Sequence, residues 1–114
     1  MRRRQNIVCN ACDCQVQVRT TRVTSIDTIP SRLFGSGWKP QLKRMNAGTY
    51  LPLFVVLVNG ANHKECSIFY LSDDLQPRDM FQPRLPLSAT AQRAGWQGFN
   101  YNLDIVREKF VRLR

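Results

Sequence analysis

The chain has 114 residues, which is room for one domain around a single core and too few for two. Seventeen Lys and Arg against eight Asp and Glu give a formal net charge of +9, and in so small a domain that excess points to a polyanionic partner, nucleic acid first. The longest apolar run, residues 51–58, is interrupted by Pro52, and the basic start Met1-Arg2-Arg3-Arg4 leads into no apolar stretch. Neither a membrane-spanning segment nor a secretory signal is expected, and the chain reads as a cytoplasmic protein whose residues 1–5 form a basic arm.

Residues 15–19 alternate. Gln15, Gln17 and Arg19 fall on one face and Val16 and Val18 on the other, the period of a half-buried strand. The expectation is that the valines face the core while Gln17 and Arg19 point together at one substrate. Asn6 lies on the strand before, across a short turn. Amide oxygens at Asn6 and Gln17 can coordinate a cation but bring no charge to hold it against water. Arg19 can meet a phosphate yet stays protonated, so it cannot act as a base. This constellation suits phosphate binding better than hydrolysis.

The turn carries Cys9, Cys12 and Cys14, with Cys66 far along the chain. Three cysteines so close together do not form a secreted disulfide framework, and Cys-x-x-Cys in a reducing compartment more often holds metal. A structural zinc needs four ligands, so Cys9 and Cys12 would require Cys14 and Cys66, or His63, to complete the set.

Residues 20–37, with Pro30, Gly35 and Gly37, read as a loop. Trp38, Leu42 and Met45 then recur at i, i+4 and i+7 with Lys39, Lys43 and Arg44 opposite, which predicts a helix of roughly 8–10 residues that admits Pro40 in its first turn and stops at 46–48. Its basic side is either a phosphate contact or a solvated face. Residues 53–58 predict a central strand covered on both faces, 59–62 a turn and 66–71 a returning strand, with His63 exposed between them. Ser72-Asp73-Asp74 opens a helical turn at a capping position, and the two acids read as capping rather than as a metal site. Residues 76–86 are an irregular connection. Ser88 can cap a turn ending at Gly95, which would fix Arg93 either toward a phosphate or at the surface.

Two segments carry a resemblance. The turn and strand from Asn6 through Cys9 and Cys12 to Gln17 and Arg19, and the run Thr90-Ala91-Gln92-Arg93-Ala94-Gly95-Trp96-Gln97-Gly98, are similar to the DpnI-type, Dam-replacing family of restriction endonucleases. With the helix and the apolar strand between them in the expected order, the resemblance spans nearly the whole chain. It implies a single α/β domain over 1–114 with a PD-(D/E)XK core, a central mixed sheet flanked by short helices. The family's Asp and its Glu-x-Lys strand fall on Asn6, Gln17 and Arg19, so all three catalytic positions are substituted. A replacement carboxylate would have to come from Asp13 or Asp27, neither at the right spacing.

The resemblance further implies duplex DNA as partner, with methylated GATC as the family's ligand, and Mg²⁺ or Mn²⁺ if the site is active. DNA contacts are expected from Arg19, Lys39, Lys43, Arg44 and Arg93. The family also carries a helix and a second cysteine pair before its acidic residue and a winged-helix domain after the core. These 114 residues include neither, so a homo-oligomer or a second subunit is an expected source of the missing parts. Three functions follow: a DNA-binding, catalytically degenerate domain, an active metal-dependent endonuclease on methylated duplex, and a non-enzymatic oligomerising module.

Overall fold

The computed structural model describes the backbone of residues 3–8 and all atoms of residues 15–84, 89–90 and 97–114. In chain order its elements are β1 (Arg3–Val8), β2 (Gln15–Val23), β3 (Arg32–Gly35), α1 (Trp38–Ala47), β4 (Leu53–Asn59), β5 (Cys66–Leu71), β6 (Phe81–Pro83), β7 (Phe99–Asn102) and β8 (Val111–Arg112). Short 3₁₀ turns lie at Asp73–Leu75, Arg78–Met80 and Asp104–Lys109. The larger sheet has the order β1-β2-β4-β5-β8 and the smaller β3-β7-β6. The α/β architecture with a mixed central sheet matches the expectation for a nuclease-like core.

Parallel pairing of β2 with β4 needs a crossover, and β3 and α1 are carried on it. All other strand pairs are antiparallel. Along β4, Leu53, Val55 and Leu57 are fully buried while Phe54, Val56 and Val58 are half-buried. The strand is therefore central but sealed on one face only, which corrects the expectation of cover on both. On its other face Val18, Phe54, Tyr70 and Val111 stand in one row across four strands, with the Phe54 and Tyr70 rings 4.9 Å apart. The sealed face meets Leu33, Phe81, Phe99 and Tyr101 of the small sheet and Met45 of α1 in one core.

Local chemistry explains the elements that were expected. Gly48, at φ 70°, takes the left-handed conformation that ends α1, and the Thr49 amide donates back to the Arg44 carbonyl at 2.9 Å. Asn59 Oδ1 accepts from the Ala61 and Asn62 amides at 2.8 and 3.0 Å, which shapes the β4–β5 connection and leaves His63 exposed. Ser72, however, donates to the carboxylates of Asp73 and Asp74 and makes no side-chain cap to the following turn.

Three stretches differ from expectation. Residues 20–37 are not simply a loop, because β2 runs on to Val23 and β3 follows. Residues 76–86 likewise hold the Arg78–Met80 turn and β6. Both short strands lie among prolines and glycines that read as punctuation, and they become strands only by pairing with β7. β1 also begins at Arg3, inside the stretch expected as an arm.

A side chain at Gly35 would be driven into the ring of the fully buried Phe99. Gly35→Ala is therefore expected to destabilise the fold by about 1–3 kcal/mol, as overpacking does. Urea unfolding of the variant beside the parent checks it, and an unchanged midpoint would show that the ring yields freely.

Candidate functional site

Side chains alternate along β2 as the pattern requires, but the buried side is the polar one. Gln17 is 2% exposed and Arg19 5%, whereas Val16 and Val18 are half-buried on the opposite face. The register explains the inversion, since Gln17 stands beside Leu53 and Arg19 beside Val55, whose side chains form the core. Gln17 and Arg19 thus share a face, as expected, but that face is enclosed by α1 and the small sheet. Neither is presented at the surface.

Their surroundings are specific. The Tyr101 hydroxyl donates to Gln17 Oε1 at 3.1 Å, and Gln17 Nε2 donates to Oε1 of the buried Gln41 at 3.4 Å. The Arg19 guanidinium lies over the Tyr101 ring, 5.6 Å from its centroid, an arrangement in which the ring face attracts the cation. Neither Gln41 nor Tyr101 was singled out from sequence. Gln41 had left a trace, a polar residue on the apolar side of α1 between Trp38 and Met45. Tyr101 left none, lying 84 residues from its partner.

Among the described residues the donor set does not fit a divalent cation. The oxygen Gln17 could offer is neutral and shares its lone pairs with the Tyr101 hydroxyl, and the nearest charge on its own strand is the positive Arg19. Asp27, a candidate replacement carboxylate, is ion-paired to Arg112 at 2.9 Å. Among the described residues no group of His, Cys, Asp and Glu gathers as a metal site. Asn6 pairs with Gln17 across β1 and β2 in backbone register. Cys9, Cys12, Asp13, Cys14 and Arg93 lie outside the described residues. Cys66 pairs with Val58, toward the end of β4 remote from Gln17.

The outward side of α1 is different in kind. Lys39 and Lys43, one turn apart, are exposed, and with Leu42, Asn46 and Ala47 they line a shallow groove of about 450 Å³. Arg44 is half-buried beside them. Arg78, unread in the sequence, donates to Asn46 Oδ1 at 2.8 Å and so adds its charge to the helix's last turn. No acid occupies the first turn of α1.

A mixed α/β domain built on a mixed sheet, with a second small sheet and short helices, is consistent with a nuclease-like core. The profile of the Dam-replacing family, DpnI, matches residues 2–111, and the chain belongs to that family. No curated protein matches it. Among the described residues no helix is long and apolar enough to cross a membrane.

Removing the Tyr101 hydroxyl leaves a buried acceptor without its donor. Tyr101→Phe is expected to lower stability by about 1–3 kcal/mol, read by denaturant unfolding. A variant that unfolds with the parent would show that Gln17 finds another donor at no cost.

Proposed function

We propose that the chain is a duplex-DNA-binding, restriction-endonuclease-like domain whose cleavage is weak or absent. Membership of the DpnI family supports a restriction-endonuclease-like function. The observation that carries the finer reading is the Gln17–Arg19 pair, an enclosed amide and a cation where metal-dependent hydrolysis of a phosphodiester needs anionic oxygens. A permanently protonated guanidinium over an aromatic ring cannot deprotonate water.

Binding rests on the exposed charge instead. Lys39 and Lys43 project from one side of α1 at the spacing of one turn, with Arg44 and Arg78 alongside. Phosphates neutralised there release counterions, so affinity is dominated by ionic strength and carries little base specificity. The net charge of +9 raises the encounter rate with any polyanion.

Two measurements test this. A labelled duplex titrated at several salt concentrations should bind with a negative slope of log affinity against log salt. In Lys39→Gln/Lys43→Gln that slope should become shallower by about 2, and an unchanged slope would remove α1 from the interface. Methylated plasmid incubated with Mg²⁺ or Mn²⁺ should be retarded on a gel but left whole. Metal-dependent nicking would replace the proposal with an active nuclease.

A further inference from the structure

The outward face of the small sheet is a second surface of distinct chemistry. Phe34, Asn100 and Gln82 stand in one row across β3, β7 and β6, and Arg32 stands opposite Asn102 in the next. The alternate residues Leu33, Phe81, Phe99 and Tyr101 are buried, so the face is backed by the core. Arg84 follows β6 directly, and its backbone amide donates to the Gly98 carbonyl at 2.9 Å. Its guanidinium lies over the Phe34 ring, 4.4 Å from the centroid, while Phe34 keeps 36% of its surface exposed.

Charge on this face is of one sign. β3, β6 and β7 carry no carboxylate, and among the described residues neither Arg32 nor Arg84 makes an ion pair. Asp104, whose field reaches Arg32, is bonded to Arg107 at 2.6 Å, and that hydrogen bond above all holds its carboxyl below the usual range. Gln82 is the exposed amide of the row, while Asn100 Oδ1 is closed to solvent and has no donor among the described residues.

A planar ring, a guanidinium stacked on it, an exposed amide that both donates and accepts, and arginines not taken up in ion pairs among the described residues are the components that take a splayed nucleotide. Within a duplex the faces of the bases are closed by their neighbours. An acidic peptide would satisfy the arginines but leave the stack unused, and one phenylalanine is too little apolar area for a lipid surface. We infer that the outward face of the β3-β7-β6 sheet binds unpaired nucleotides of a single strand, with the Phe34–Arg84 stack as base platform and Arg32 as phosphate contact. This goes beyond the duplex reading, which uses α1.

Fluorescence anisotropy of the full chain with a short labelled oligothymidine, and separately with a blunt duplex, tests it. The parent should bind the oligothymidine. Phe34→Ala should weaken that binding by roughly 5- to 100-fold, the range for loss of one stacked base, and leave duplex affinity and the melting temperature in place. Phe34→Tyr, which keeps a ring, should bind like the parent, and Arg84→Gln should bind more weakly with a shallower salt slope. Parent protein that ignores the oligothymidine, Phe34→Ala that binds it unchanged, or equal loss on both ligands would each overturn the inference. Phe34-dependent binding of the oligothymidine with no affinity for duplex would support it while overturning the duplex reading.

Discussion

The hydrogen bond from the Tyr101 hydroxyl to Gln17 Oε1 joins the small sheet to the middle of the large one, and much of the molecule is arranged around the need to make it. An amide sealed in a core costs about 1–3 kcal/mol for each polar atom left without a partner. Gln17 therefore requires elements distant in sequence to close over β2. α1 brings Gln41 and β7 brings Tyr101, and the ring that supplies the hydroxyl also supplies the face beneath Arg19. One aromatic residue thus answers both polar side chains. The apolar contacts around them, Phe81 at 5.3 Å and Phe99 at 5.0 Å between ring centroids, hold that residue in place.

Positive charge is distributed by the same geometry. Arg19 on β2 is turned inward, and the exposed cations include those of α1 and of the small sheet's outward face. The two differ in what they can recognise. Lysines on a helix are mobile point charges suited to a phosphate backbone of any sequence, while guanidinium and ring planes fixed on a sheet discriminate by shape.

The parts of the fold legible in the sequence are those whose signals are local. α1 was readable from Trp38, Leu42 and Met45 and from the stop at Gly48, and the β4–β5 pair from apolar runs flanking Asn59 and Gly60. β3 and β6 were not, because four and three residues among prolines carry no period of their own and depend on β7 for hydrogen bonds. The site was half readable. Alternation put Gln17 and Arg19 on one side, but alternation is symmetric and cannot say which side is covered. That choice is made by Tyr101 and by the register with Leu53 and Val55, neither of which leaves a mark near residue 17. Arg78 and Arg84 leave no local mark either, since Arg78 joins the basic helix through Asn46 and Arg84 is placed through Gly98.

Arg19 also constrains how the chain reaches its folded state. A lysine enclosed at that place could shed its proton and enter the interior neutral, but a guanidinium cannot be discharged at any ordinary pH. While the large sheet has formed and the small one has not, water must hydrate that charge on the very face that otherwise drives collapse. Docking of β7 brings the Tyr101 ring over this charge, so closure of the two sheets is coupled to dehydration of a fixed cation.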